Sequence, residues 1–150
     1  MDEQLLQTFR EKLAEPVTKE DYEQVLAALV THLRAERGCM WLERENKFLY
    51  EGDERLRREF PFSRQAVDAV LEQGRSFLSF DPESDPRISE DSSLSLNVRS
   101  CMAASCTDEN GNVLALAYFD NDMKRDPFSH RDLRFLKAVL SLVPGAVKIE

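Results

Sequence analysis

Positive charge is short in this sequence. Against 28 aspartates and glutamates stand 20 lysines and arginines, a formal net charge of −8. Neither nucleic acid nor an anionic membrane surface would find the basic face it needs. A local basic cluster, Arg55, Arg57 and Arg58, is bracketed by Glu54 and Glu59 and reads as a solvated face. Cysteine is scarce as well. Cys39, Cys101 and Cys106 are an odd set with no Cys-x-x-Cys spacing. That argues against a disulfide framework and a structural zinc site, and leaves three small buried hydrophobes with inert thiols. The two histidines, His32 and His130, have no nucleophile partner in the pattern, so hydrolytic catalysis lacks its base. Apolar runs such as Val25–Val30 are far too short to span a bilayer. Met1-Asp2-Glu3 is acidic and no leader-like apolar segment follows, so a cytoplasmic protein is the expectation.

What is present fits one globular domain over residues 1–150. Hydrophobic residues make up 42% and charged residues 32%, a balance that builds a core and is not that of a disordered chain. Leu6, Phe9 and Leu13 share a stripe over 2–14, and Pro16 closes this first helix. Thr18, with Asp21 three residues on, opens a second helix to about Ala35, with Tyr22, Val25, Leu26, Leu29 and Leu33 at helical spacing. Cys39–Leu42 and Phe48–Tyr50 form a hairpin around a polar turn. Ser63 caps a third helix that stops at Gly74, and Phe77–Phe80 is a strand.

Val98–Thr107 and Val113–Asp120 flank Asn110-Gly111, a strong hairpin signal. Both runs are small or apolar on both faces, which places them at the sheet centre. Ser129 and Asp132 open the last helix, where Leu133, Leu136, Leu140, Val143 and Val147 step by three and four. The expected class is α/β (α+β): a central antiparallel sheet of five to six strands flanked by helices, with the N- and C-terminal helices (1–16 and 129–150) on one face.

The stretch "FDPESDPRISEDSSLSLNVRSCM" at 80–102 carries five carboxylates between Asp81 and Asp91. They lack the spacing of a calcium loop and its closing bidentate glutamate, and Pro82 and Pro86 stiffen the backbone. A solvated loop, not a metal site, is the reading; no metal and no cofactor are expected.

Four stretches in order resemble the GAF domain, a PAS-like α/β sensory module. They are "AERGCMWL" (35–42), "FSRQAVDAVLEQGRSFLSFD" (62–81), "SDPRISEDSSLSLNVRSCMAAS" (84–105), and "NGNVLALAYFDN" (110–121) with "FSHRDLRFL" (128–136). The likeness is to modules that precede bacterial signalling outputs such as transcription activators, kinases and cyclases. It implies a GAF/PAS-like sheet, a lid over 81–97 and a non-catalytic sensor that binds a small molecule (a cyclic nucleotide or another metabolite) or a partner. It also implies signalling through the terminal helices of a homodimer. Three departures stand out: Ser105-Cys106 where relatives carry Pro-Leu, Ala115 for a glycine, and Pro144-Gly145 inside the last helix.

The candidate ligand residues under this resemblance are Arg99, Arg87, Asp81, Cys101, Ser105 and Trp41. An arginine suits a carboxylate or phosphate, but the five acids around Arg87 make neighbouring salt bridges its expected use; Arg99 is open between the two. Trp41 and Tyr118 sit in apolar strands and suit the core. Ser100 and Ser105 are five apart and cannot share a strand face, nor can Cys101 and Cys106. Some GAF proteins reduce free methionine sulfoxide, which needs a thiolate near the lid and a resolving thiol. No cysteine lies between Ser63 and Asn97, so the chain is expected not to be an enzyme, and a covalent bilin lacks its anchor. Phe128 and Asp132 match part of a cyclic-nucleotide signature, yet a buried ring and a helix-start carboxylate explain them equally. The alternative function is a degenerate module without ligand, serving as a dimerisation or docking scaffold.

Overall fold

Local signals start each helix where the sequence puts it. A computed structural model of the chain describes residues 2–44, 47–52, 76–79, 98–122 and 126–149. Helix α1 covers Asp2–Lys12, with Asp2 and Glu3 in its first turn and Arg10 and Lys12 in its last, the charge order that the helix dipole favours. Helix α2 covers Lys19–Leu33. At its N-cap the Thr18 hydroxyl accepts from Asp21 N while Asp21 Oδ2 accepts from Thr18 N, so two otherwise orphaned donors are satisfied reciprocally. Helix α3 covers His130–Leu140 and opens on the same device, built from Ser129 and Asp132.

Six strands form one antiparallel sheet. They are β1 Arg37–Leu42, β2 Lys47–Glu51, β3 Phe77–Ser79, β4 Val98–Thr107, β5 Val113–Asp122 and β6 Lys148–Ile149. The order is β2-β1-β5-β4-β3, with β6 beside β4. The expected central pair is therefore at the centre, with β5 between β1 and β4. Its turn is held by Asp108, whose Oδ1 accepts from Asn110 N and Asn112 N, and by Gly111 at φ +82, a conformation in which a side chain is costly.

Strand alternation assigns every side chain to one of two faces. On the first, Met40, Leu42, Leu49, Met102, Ala104, Ala117 and Phe119 join the core with Phe9 and Leu13, with Leu26 and Leu29 of α2, and with Leu136 and Leu140 of α3. All three described helices thus pack on one face, as expected for the terminal pair. Each Leu or Phe removed from water here stabilises by about 1.5–3 kcal/mol.

Small residues in the strands set how closely these layers approach. A Cβ built on Gly38 would stand 2.6 Å from Phe119 Cδ1 and 3.0 Å from Val30 Cγ2. Ser100 belongs to this face and serves structure. Its hydroxyl donates to Asn121 Oδ1 (2.9 Å) and accepts from Phe128 N (2.9 Å), while Asn121 Nδ2 donates to Asp126 O (2.6 Å). That network ties the end of β5 to the start of α3 and buries Phe128.

The C-terminal element departs from expectation. A helix over 129–150 is not formed; α3 stops at Leu140. Pro144 has no N–H to donate and Gly145 takes φ +88, so the chain turns. Val147 N then donates to Thr107 O (2.9 Å) and β6 pairs with Cys106 and Thr107. Of the stripe expected to pair between chains, Leu136 and Leu140 are fully buried in the chain's own core, whereas Val147 is exposed. The helix expected over Ser63–Gly74 and the lid over 81–97 lie outside the described residues.

Gly38→Ala is expected to lower stability by about 1–3 kcal/mol, since the β1 backbone must move away from the Phe119 ring. Urea denaturation checks this, and an unchanged midpoint would contradict the packing.

Candidate ligand site

The second face of the sheet has a different chemistry. Strand register arranges it as three rows across β4, β5 and β1. Cys101, Asp120 and Arg37 form the first row, Ala103, Tyr118 and Cys39 the second, and Ser105, Leu116 and Trp41 the third. Ser79 of β3 extends the first row beside Cys101. The side chains of β4 here are small, and β5 supplies the larger ones.

A buried ion pair closes the polar row. Arg37 Nε donates to Asp120 Oδ1 (2.7 Å), and Arg37 Nη2 donates to Oδ2 (2.9 Å). Tyr118 Oη also donates to Oδ2 (2.9 Å). Arg37 is 5% exposed and Asp120 1%. Taking such charges out of water costs several kcal/mol apiece, which only a bidentate pair with satisfied lone pairs recovers. Burial pushes the Asp120 carboxyl upward, and the Arg37 and Tyr118 donors oppose that push. Three donors on two oxygens offset part of what burial costs the carboxylate. Burial works against the Arg37 charge too, yet the Asp120 hydrogen bonds and charge raise its pKa above the ordinary value.

The thiols are quiet. Cys39, Cys101 and Cys106 form no disulfide and are fully buried. Burial pushes Cys39 well above its ordinary value, and the Asp120 charge adds to this. Burial lifts Cys106 to about 12. For Cys39 and Cys106 burial thus disfavours the ionised form that nucleophilic sulfur chemistry requires.

Two hydroxyls are left over. Ser79 Oγ and Ser105 Oγ are buried, and neither finds a hydrogen-bond partner among the described residues. An orphaned buried hydroxyl costs about 1–3 kcal/mol, so each stands out on an otherwise satisfied face. Two open clefts, of about 680 and 620 Å³, lie elsewhere, one near Tyr22, Arg44 and Pro144 and one near His32, Asp2 and Phe135.

Cys101, Ser105 and Trp41, three of the residues singled out from sequence, meet on this face. Arg99 stands in β4, but its side chain, like all of Arg87 and Asp81, lies outside the described residues. Cys106 faces the helices and Cys101 the second face, as their spacing required. Sequence reasoning missed Ser79, Arg37 and Asp120. The signal was there for the last two: an arginine and an aspartate inside strands covered on both sides must find each other.

With this geometry in view, the chain can be set beside known proteins. The family model described as GAF domain matches residues 19–147. The chain belongs to the GAF domain family. A search of curated proteins finds no match. Among solved structures, the GAF domain of an Acinetobacter phosphoenolpyruvate-protein phosphotransferase is similar at 13% identity and TM-score 0.68, over 97% of this chain and 91% of that one. The free methionine-R-sulfoxide reductase of Neisseria meningitidis, solved in complex with its substrate, aligns at 15% identity and TM-score 0.60, over 96% and 89%. A transcription factor of Burkholderia cenocepacia described as N-acylhomoserine lactone dependent aligns at 19% identity and TM-score 0.59, over 95% and 90%. At these identities the likeness establishes the fold: this GAF chain shares its α+β architecture with signalling domains and with an enzyme alike.

At neutral pH an aromatic disulfide reagent is expected to modify none of the three cysteines in the folded GAF domain and all three after unfolding. One fast-reacting native thiol would contradict the burial. The sign on the alkaline side also follows. A native thiol held at about 12 against an ordinary 9.0 contributes stability below 9.0 that is lost as pH rises toward 12.

Proposed function

We propose that this GAF domain is a non-catalytic regulatory module of a cytoplasmic bacterial signalling protein, and that it binds a small molecule on the second face of its sheet. One observation carries the reading: two buried hydroxyls, Ser79 and Ser105, without partners among the described residues, on a face where β4 supplies small side chains. A fold does not bury hydrogen-bonding groups unsatisfied without cause. Ligand occupancy would act by favouring one of two pre-existing conformations.

The similarity to a methionine sulfoxide reductase raises an enzymatic reading, and the thiols weigh against it. All three are buried, and burial pushes Cys39 and Cys106 upward. The sequence also offers no cysteine between Ser63 and Asn97. Among the described residues no helix is long and apolar enough to cross a membrane, in keeping with a module that works in solution.

A second reading, a ligand-free docking scaffold, draws support from the C-terminus. The chain beyond α3 folds back as β6 instead of leaving as a helix, so output would not run along a continuous coiled coil. Self-association belongs to both readings and would have to use surfaces other than the buried stripe of α3.

A thermal-shift screen against cyclic nucleotides, amino acids and other metabolites tests the proposal. A ligand at a hundred times its Kd should stabilise by about 2.7 kcal/mol. A flat response across a broad panel would favour the scaffold, and thiol-dependent turnover of methionine sulfoxide would overturn the non-catalytic reading.

A further inference from the structure

The larger of the two clefts has both room and an unused polar group. Its volume is about 680 Å³, within the roughly 300–1,000 Å³ of small-molecule clefts. It lies where the α1–α2 connection, the end of β1, the start of β5 and the turn after α3 meet. Two of its lining residues, Tyr22 and Leu42, belong to the helical core. The cleft therefore opens on the side of the sheet away from Ser79 and Ser105.

Tyr22 is 7% exposed, and its hydroxyl makes no hydrogen bond to any described residue. Its surroundings show which way the phenol points. Burial pushes the hydroxyl above the ordinary phenol value, Cys106 adds to this, the Arg44 charge opposes it and the Glu15 charge adds again. Arg44 and Glu15 both line the cleft, so the hydroxyl is turned toward these walls as a protonated donor. Arg44 is fixed beside it, because its Nη1 donates to Val17 O (2.9 Å). A guanidinium has five N–H donors, and the anchored one leaves others for a ligand. Two neighbouring donors, one of them charged, suit a carboxylate.

The rest of the lining sets what else the ligand carries. Among the described residues of the cleft, Arg44 brings positive charge, and Glu15 and Glu43 bring negative. A simple anion would meet two carboxylates, and a simple cation would meet the guanidinium. A molecule with both charges answers each. Val17 and Val143, both buried, supply apolar wall.

We infer that this cleft is a second ligand site, independent of the one on the opposite face, and that it takes a small apolar zwitterion of the amino-acid or short-peptide class. Its carboxylate is held by Tyr22 Oη and Arg44, its ammonium faces Glu15 and Glu43, and its apolar side chain lies against Val17 and Val143. Such a ligand touches the segments that follow α1 and precede β6, and so ties the two ends of the chain together.

The full chain is titrated by calorimetry with leucine and with leucyl-leucine. The same is done with N-acetyl-leucyl-leucine, which lacks the ammonium, and with leucyl-leucinamide, which lacks the carboxylate. Binding of either free form supports the inference, and the tighter of the two names the source. The blocked peptides are expected to bind at least about tenfold more weakly than leucyl-leucine. Tyr22→Phe keeps the ring and should weaken the free form about tenfold, the loss of one hydrogen bond. Its ligand-free melting temperature should equal or exceed that of the wild type, since no bond within the chain is lost. Arg44→Gln should weaken binding by at least as much. Equal binding of a blocked peptide, or unchanged affinity in both variants, overturns the inference. Silence toward leucine and leucyl-leucine alike also overturns it. Loss of binding in Ser105→Ala with none in Tyr22→Phe would put the zwitterion on the opposite face, and overturns it too.

Discussion

The ion pair between Arg37 and Asp120 is the constraint from which the rest of the sheet follows. Both partners are buried, so any arrangement that separates them leaves a charge stranded in a low-dielectric interior. Pairing Arg37 opposite Asp120 fixes the register of β1 on β5. A slip by one residue would send one charge to the other face and move every side chain of β1 with it. The next pair along, Gly38 opposite Phe119, locks the same register from the helical side, since only a glycine leaves room for that ring. Electrostatics on one face and sterics on the other thus select a single alignment.

From that alignment the two faces acquire different jobs. The helical face is apolar, and a polar cluster on it, Ser100 with Asn121, is satisfied and anchors the entry to α3. The opposite face pairs Arg37 with Asp120 and buries its thiols, yet retains two hydroxyls that find no partner among the described residues. Small side chains in β4 beside larger ones in β5 make up the described part of the proposed binding face. The same fold also serves an enzyme and a transcription factor, so the role of this chain must be argued from these side chains and not from architecture.

Much of the fold was legible because its signals are local. Thr18 with Asp21 and Ser129 with Asp132 announce helix starts by hydrogen-bonding chemistry alone, and Asn110-Gly111 announces the central turn. Strand parity correctly separated Ser100 from Ser105 and Cys101 from Cys106, but it could not say which face was which. That assignment depends on where the helices pack, a long-range fact. Ser79 was invisible for the same reason: a serine near a strand end is unremarkable until its burial and lack of partner are seen. The last helix was over-extended, since heptad spacing continued through Val143 and Val147 while Pro144 and Gly145 turned the backbone toward β4. The heptad positions themselves served intrachain packing, which periodicity alone does not distinguish from pairing between chains.

A double-mutant cycle on the ion pair tests the central claim most directly. Arg37→Met, Asp120→Leu and the double variant are compared by urea denaturation. Each single change is expected to destabilise by about 3–5 kcal/mol, because it strands the remaining charge. The double variant should lose far less than the sum, a coupling above about 1.5 kcal/mol. Additive losses, with the double variant as unstable as the two singles combined, would contradict the claim that this pair sets the sheet.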